Sequence, residues 1–340
     1  MKTKLLFALG VSVIITGSLF NEYVIAALCR QDRMMESLSI RVALWATQVF
    51  LTFAGILIIR YRKKLSMRLL PRLVFLMIFT GMCFLVSGEA VIRFAGYRPW
   101  NVSNVTFSIE PGGRIYVPNP RLGFTHLPGT FTVRLHDGYS FKVTHGENLL
   151  RITHLQNDRS VQVNKEEIWI FGCSFTHGWT LNDEDTYPWL VQEAFPRYEV
   201  VNFGTGGYGT LQSLLQFRDT FEKPTPPKAI VYVYGSFHDR RNTLSRQRRK
   251  LMAPYTSQND MGFRFHPQAR FGQDGKLQVS SVKFGYKAFP FTRYLAMANH
   301  FEESCNAIEN YVLKSHKVSK ELIAEFHQKA RERNMPFIVG

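Results

Sequence analysis

The sequence lacks the cysteine spacings that build metal sites and disulfide frameworks. Its 340 residues contain only four cysteines, Cys29, Cys83, Cys173 and Cys305, and no two of them form a C-x-x-C pair. Structural zinc sites commonly use such pairs, and small disulfide-stabilised domains are much richer in cysteine. We therefore expect no metal, no disulfide framework and no cofactor.

Acidic residues are few compared with basic ones. Lys and Arg together number 42 against 26 Asp and Glu, which gives a formal net charge of +16. A nucleic-acid partner would fit that balance, but no basic motif interleaved with aromatic residues and no zinc-finger spacing is present. Much of the excess instead lies beside apolar segments, so we expect no nucleic acid as a partner.

Long apolar runs are concentrated in the first hundred residues. They cover residues 5–20, which resume at 23–28, then 42–59 and 73–92. Because about 20 apolar residues cross a bilayer, the pattern predicts three transmembrane helices in a membrane region of residues 1–96, with the lipid bilayer as a partner. A signal peptide cleaved near Ala26 is the competing interpretation of the first run.

The charge of the loops predicts an orientation in that membrane. Residues 60–72 include six Arg or Lys and no acidic residue. The positive-inside rule then places the amino terminus in the cytoplasm and the chain after about residue 92 on the exterior or periplasmic side.

The rest of the chain changes pattern twice. Residues 97–163 show short alternating runs between turns, which indicates a small antiparallel β unit. In residues 164–340, strand candidates at 168–171, 198–203, 229–234 and 335–339 are separated by helical or irregular stretches, with a basic loop expected at 240–250 and an irregular segment up to 285. Strands that alternate with helices predict an α/β fold with a parallel sheet.

One stretch carries a chemical signal. Residues 167–179 form an apolar strand candidate that breaks at Gly172 and is followed directly by Ser174. A serine at the carboxyl end of a parallel strand stands where α/β proteins bind ligands. The G-x-S-x-G elbow is excluded because Thr176 replaces its second glycine. Cys173 offers a thiol as an alternative nucleophile, although a buried cysteine is usually inert packing.

This stretch resembles block one of the SGNH (GDSL-like) hydrolases, Gly-Asp-Ser-Phe-Thr-x-Gly, with cysteine in place of aspartate. Residues 202–212, Asn-Phe-Gly-Thr-Gly-Gly-Tyr-Gly-Thr-Leu-Gln, resemble block two, and residues 236–239, Ser-Phe-His-Asp, occupy the place of block three. The resemblance implies a three-layer SGNH-hydrolase-like domain at residues 164–340, preceded by the three transmembrane helices and the small β unit.

The resemblance also implies roles for individual residues. Ser174 would be the nucleophile, and the backbone N–H of Gly207 would help to hold the oxyanion. His238, where the family has asparagine, would be an oxyanion donor or a base. Asn202 and Asp239 would bind substrate.

The family's Asp-x-x-His pair is missing. After Gly285 the only histidines are His300, His316 and His327, and none belongs to that pattern. Since the sequence stops inside a predicted strand, we expect that the domain is truncated at its carboxyl end. Otherwise His177 or His238 would act as the base, or the site would be inactive.

The expected function is that of a membrane-anchored serine acyl-ester hydrolase or O-acyltransferase. Through an acyl-serine intermediate it would act on acylated carbohydrate, lipid or envelope polymer, so the expected partner is an acylated small molecule or polysaccharide. The alternative is a catalytically inactive SGNH-like envelope protein that binds glycan.

Overall fold

The computed structural model describes residues 2–19, 38–63, 70–101, 107–155, 165–221, 225–255 and 265–340. The chain forms two compact units. The first combines Met1–Trp100 with Phe289–Cys305, and the second combines Asn101–Ala288 with Asn306–Gly340. The domain boundaries predicted at residues 97 and 164 stay predictions.

The first unit is helical. Its helices include α1 (Lys2–Leu19), α2 (Leu38–Tyr61) and α3 (Leu70–Phe94). Helices α1 and α2 pack closely through glycines: a Cβ atom on Gly10 would lie 2.5 Å from Ile59, and one on Gly55 would lie 2.6 Å from Ile14. Glycine permits this close approach because it has no side chain.

The predicted membrane region is not confirmed. Among the described residues, no helix combines the length and the apolar character that a membrane crossing needs. The predictions of three transmembrane helices and of a membrane location with an exterior domain are therefore wrong. The prediction rested on the length of the apolar runs. Helices that pack against one another, as α1 and α2 do, also contain long apolar runs, so the length of a run does not identify a transmembrane helix. The possible cleavage point at Ala26 lies outside the described residues.

The second unit begins with antiparallel strands. Strands β1 (Phe107–Glu110), β4 (Gly129–Leu135) and β5 (Ser140–His145) form a sheet in the order β1-β4-β5, and β2 (Tyr116–Asn119) pairs with β3 (Gly123–His126). Side chains alternate across the larger sheet, as expected for strands with one covered face. The inward set is Phe131, Val133, Phe141 and Val143, and all four are buried.

A parallel sheet follows. Its strands are β6 (Glu167–Phe171), β7 (Glu199–Asn202), β8 (Ala229–Tyr232) and β11 (Phe337–Val339), in the order β11-β8-β6-β7, with every neighbouring pair parallel. Between and after these strands lie α4 (Ser174–His177), α5 (Tyr187–Ala194), α6 (Thr210–Thr220), α7 (His238–Asn242), α8 (Arg246–Met252), α9 (Ala296–Val312) and α10 (Ser315–Glu332).

The predicted fold class is wrong. Beside the parallel sheet, the described residues form three antiparallel ones, including a hairpin of β9 (Phe265–Phe271) and β10 (Leu277–Lys283). The hairpin lies in the segment that we expected to be irregular. The alternation of apolar and polar residues in its strands is hard to recognise, because Pro267 interrupts β9 and one face of β10 is polar. The basic loop expected at 240–250 contains helices α7 and α8 instead.

Aromatic side chains fill the core between the parallel sheet and its helices. Phe171 of β6 stacks on Phe203 with ring centroids 4.3 Å apart, and it meets Phe326 of α10 edge-on at 5.2 Å. Phe217 of α6 packs against Phe326 at 4.7 Å. This packing fixes the carboxyl end of β6, where the candidate site begins.

Candidate active site

Ser174 lies where β6 turns into a short helix. The strand ends at Phe171, Gly172 and Cys173 follow, and Ser174 is the first residue of α4. A Cβ atom on Gly172 would overlap the side chain of Thr176, so only glycine fits the turn. Gly178 ends the helix in the left-handed region, with φ of 80°, and its N–H donates to the Ser174 carbonyl at 2.9 Å. The motif therefore has the strand-to-helix geometry that its sequence predicts.

Ser174 lines a cavity of about 190 Å³ in the second unit. Most of its walls are aromatic or aliphatic, and the polar groups are few. The lining residues are Phe107, Ile109, Arg114, Ile115, Tyr116, Phe124, Ser174, Trp179, Gly206, Gly207, Arg248, Met252 and Tyr255. An apolar cavity with a few convergent polar groups is the usual form of a small-molecule site.

Two glycines line the same cavity as Ser174. A Cβ atom on Gly206 would lie 2.5 Å from the Tyr116 hydroxyl oxygen. Gly207 has a φ of 88°, and a Cβ there would lie 3.0 Å from the Arg248 Nη2 atom. The backbone conformation at Gly207 therefore favours glycine, and a side chain at Gly206 would displace the Tyr116 hydroxyl.

The polar groups of Ser174 and Gly207 are available to a ligand. Among the described residues, neither the Ser174 hydroxyl nor the backbone N–H of either residue has a hydrogen-bond partner. Both residues line the same cavity, so its lining includes a hydroxyl and two residues with unpaired backbone N–H groups. A nucleophile and oxyanion donors are the two parts that acyl transfer needs first.

Arg248 supplies positive charge to this cavity. It is buried, and its Nη2 atom donates to the Gly207 carbonyl at 2.5 Å. Its Nε atom has no partner in the described part of the chain. Burial, with the nearby charges of Arg241 and Arg240, lowers the pKa of Arg248 well below its usual value. An anionic ligand group would relieve both the missing hydrogen bond and the uncompensated charge.

His238 does not line the cavity. It is fully buried, and its Nδ1 atom lies 3.0 Å from the Tyr232 hydroxyl oxygen. Burial, followed by the charges of Arg241 and Arg248, lowers the pKa of His238 to about 3. The role predicted for His238 as oxyanion donor or base stays a prediction.

Asn202 and Asp239 make structural contacts away from the cavity lining. The Asn202 side chain donates to the Thr176 carbonyl at 3.1 Å and accepts from the Gly204 N–H at 2.9 Å. Asp239 accepts from the Tyr234 hydroxyl at 2.6 Å and from Ser319 at 2.5 Å. Their predicted roles in substrate binding also stay predictions. Of the five predicted site residues, the structure brings only Ser174 and Gly207 together at the cavity.

His177, at the end of α4, belongs to a buried group of three histidines. Its Nε2 atom lies 3.0 Å from Nε2 of His145, and the ring of His126 stacks on that of His145 with centroids 4.0 Å apart. All three side chains are buried. Burial lowers the pKa of His126 to about 4 and the pKa values of His145 and His177 well below the usual value. The charge of Arg151 adds to the effect at all three histidines, and repulsion by His126 adds to it at the other two.

Sequence reasoning missed Arg248 and two of the three histidines. Arg248 stood in a basic run that suggested a solvated loop, and nothing local marks one arginine of that run as buried. His126 and His145 each end a short strand whose alternation is visible in the sequence, but their proximity to His177 depends on long-range packing.

No protein-family model matches this chain, and no curated protein does. Among solved structures, part of the chain is similar to the crystal structure of AlinE4, a SGNH-hydrolase family esterase, at 19% identity with a TM-score of 0.22. A serine-to-alanine mutant and an aspartate-to-alanine mutant of AlinE4 match at 18% and 19% identity with the same TM-score. Each match covers 27% of this chain and 52% of the other, so this chain spans about half of their length. A likeness of this size carries no conclusion about activity.

Proposed function

We propose that this protein performs acyl-ester chemistry with Ser174 as the nucleophile. The observation that carries the proposal is that the Ser174 hydroxyl and the Gly207 N–H belong to residues lining one cavity and have no hydrogen-bond partner within the described part of the chain. The serine stands at the carboxyl end of a parallel strand, where the backbone geometry exposes it to a bound ligand.

The chemistry follows from these groups. The Ser174 oxygen attacks the ester carbonyl carbon, its proton passes to a base, and the carbonyl oxygen takes the negative charge. The N–H groups of Ser174 and Gly207 stabilise that oxyanion. Collapse breaks the bond to the alcohol, which leaves with a proton and yields an acyl-serine. Water then releases the acid, or a second alcohol accepts the acyl group, so hydrolysis and transfer share this intermediate.

The cavity lining indicates the class of ester. Apolar walls suit a short acyl chain, and the buried guanidinium of Arg248 suits a substrate that carries a carboxylate or another anionic group. An acylated carbohydrate, lipid or polymer with such a group remains within the proposal.

Binding without catalysis is the second candidate. It is favoured by one observation: among the described residues, no imidazole or carboxylate forms a hydrogen bond with the Ser174 hydroxyl. Catalytic hydrogen bonds often tighten only when substrate is bound, so this geometry is compatible with either function.

The test compares two nitrophenyl esters, a neutral butyrate and a succinate with a free carboxylate, with the wild-type chain, Ser174→Ala and the control Ser281→Ala. Ser281 is exposed on β10. We expect turnover by wild type and Ser281→Ala, a preference for the succinate, and a loss of at least about 100-fold in Ser174→Ala, because the nucleophile is removed.

Turnover that survives in Ser174→Ala would contradict the proposed nucleophile. If no variant turns over either ester but the wild type binds the succinate, the binding function is the correct one. Circular dichroism of Ser174→Ala would verify that the variant is folded.

A further inference from the structure

The buried histidines present their ring nitrogens to one another. The Nδ1 atom of His126 lies 3.1 Å from the Leu149 carbonyl, and that of His145 lies 3.0 Å from the Leu127 carbonyl. A carbonyl only accepts, so each Nδ1 carries the proton. The Nε2 atoms of both rings are therefore unprotonated and have lone pairs to offer.

This tautomer is the one that metal-binding histidines adopt. A histidine ligand commonly donates its second N–H to a backbone carbonyl, which orients the ring and fixes the free nitrogen toward the ion. In the present cluster two rings are held in this way by backbone carbonyls from outside the cluster.

Within the protein, the cluster leaves buried nitrogens without partners. Nε2 of His126 and Nδ1 of His177 form no hydrogen bond among the described residues, and both side chains are at most 1% exposed. Buried polar atoms are nearly always paired, and a ligand at the cluster would give the orphaned Nε2 of His126 its partner. One ligand nitrogen from each of the three rings lies within 4.8 Å of the others.

We propose that His126, His145 and His177 bind one divalent transition-metal ion of the zinc class. Two nitrogens on a tetrahedral zinc ion lie about 3.3 Å apart, close to the 3.0 Å between Nε2 of His145 and Nε2 of His177. Coordination requires the His126 ring, which stacks on His145 without the ion, to rotate until its Nε2 lone pair points to the same centre. Imidazole suits zinc, cobalt, nickel and copper rather than magnesium or calcium.

The surroundings tolerate the added charge. Arg151 is a cation that acts on all three histidines, and its Nε atom pairs with the Asp183 carboxylate at 3.1 Å. Its Nη1 atom donates to the His177 carbonyl at 2.7 Å and to the Gly178 carbonyl at 2.6 Å. A carboxylate and carbonyl dipoles therefore offset part of the arginine charge.

The cluster joins three separate elements. His126 ends β3, His145 ends β5, and His177 ends the short helix that begins with Ser174. A bound ion would therefore fasten the antiparallel strands to the turn that presents Ser174.

The test uses the full chain produced in medium with Zn²⁺ or Co²⁺. We expect about one ion per chain after gel filtration, by elemental analysis. X-ray absorption should show three histidine nitrogens around zinc, and the cobalt form should show the intense visible bands of a tetrahedral site. These readouts do not depend on esterase activity, so they can fail independently of the proposed function.

The informative variant is His126→Gln, which removes the imidazole and keeps a polar side chain of similar length. Its affinity for Zn²⁺ should fall by more than the roughly 100-fold that marks the loss of an outer-shell partner, because a ligand is removed. His136→Gln, at an exposed turn, is the matched control and should bind like the wild type.

Three results would overturn the proposal: a wild-type chain that retains far less than one ion, a metal environment without three histidines, or a folded His126→Gln chain that binds as tightly as the wild type. The wild-type measurements decide the matter alone if His126→Gln does not fold.

Discussion

At the scale of single residues, the candidate site depends on backbone segments that approach each other closely. Gly204 follows β7 and faces the middle of α4. A Cβ atom at this position would lie 2.5 Å from the His177 nitrogen and 2.7 Å from the Thr176 carbonyl carbon. Both of these atoms belong to the backbone of the helix that starts with Ser174, so neither can move without moving the serine.

We expect Gly204→Ala to lower the free energy of unfolding by about 1–3 kcal/mol, because the new methyl group overpacks a site bounded by backbone. Urea denaturation at neutral pH measures this change. Gly285→Ala is the control, since a Cβ there has no neighbour within 4 Å, and it should stay within about 0.5 kcal/mol of the wild type. Equal stabilities of the two variants would show that the backbone of α4 can shift to accommodate the added methyl group.

At the scale of elements, Arg151 links the antiparallel strands to the segment after α4. It is 2% exposed. Besides its bonds to Asp183 and to the His177 and Gly178 carbonyls, its Nη2 atom donates to the carbonyls of Lys142 and Leu181, at 3.1 and 2.7 Å. One planar guanidinium therefore satisfies acceptors from three directions.

We expect Arg151→Lys to be destabilising by about 3 kcal/mol or more, although the charge is retained. A lysine ammonium has three donors at one point and leaves buried carbonyls unpaired, each at a cost of about 1–3 kcal/mol. Thermal unfolding followed by circular dichroism measures the loss.

Arg134→Lys provides the comparison for that substitution. Arg134 lies on β4 and is exposed, so the same substitution should change the midpoint of thermal unfolding only slightly. If Arg151→Lys lowers the midpoint of thermal unfolding no more than Arg134→Lys does, then the positive charge alone holds these elements together. The several N–H donors of the guanidinium would then not be needed.

At the scale of the whole molecule, the first unit is assembled from segments far apart in the sequence. Glu89 of α3 accepts hydrogen bonds from the N–H groups of Ala296 and Met297, at 2.7 and 2.8 Å, and pairs with Arg93 at 2.6 Å. Its carboxylate thus caps the first turn of α9, where negative charge is favourable. Burial alone would raise the pKa of Glu89, but these N–H groups and Arg93 outweigh it, and the pKa is lowered.

The lowered pKa predicts a dependence of stability on pH. The Glu89 contribution should be complete above the ordinary value of 4.5 and should disappear as the pH falls through the lower folded-state pKa. Glu89→Gln should therefore reduce protection of the Ala296 and Met297 amides from hydrogen exchange at neutral pH, and the difference from wild type should shrink on acidification.

Glu321→Gln, an exposed change on α10, is the control for that experiment and should leave both amides unchanged. A difference between wild type and Glu89→Gln that grows toward low pH would contradict the assignment, because a carboxylate with a lowered pKa acts only in its ionised form.

Local sequence patterns determined the turn that carries Ser174. Residues 168–178 contain every feature of this turn: an apolar run, a glycine without room for a side chain and a polar residue at the helix start. Residues close in sequence are therefore sufficient to predict the turn. Gly206 and Gly207 were also recognised from the sequence, because they belong to a local glycine-rich stretch. The four parallel strands were also expected, because buried strands form compact apolar runs.

Tertiary structure decided the rest. The three histidines come from β3, β5 and α4, and Arg248 reaches the cavity from a run of basic residues, so both depend on contacts between distant segments. The apolar runs in the first hundred residues predicted helices but not the surroundings of those helices. Hydrophobicity indicates that a helix face is removed from water, but it does not indicate which atoms cover that face.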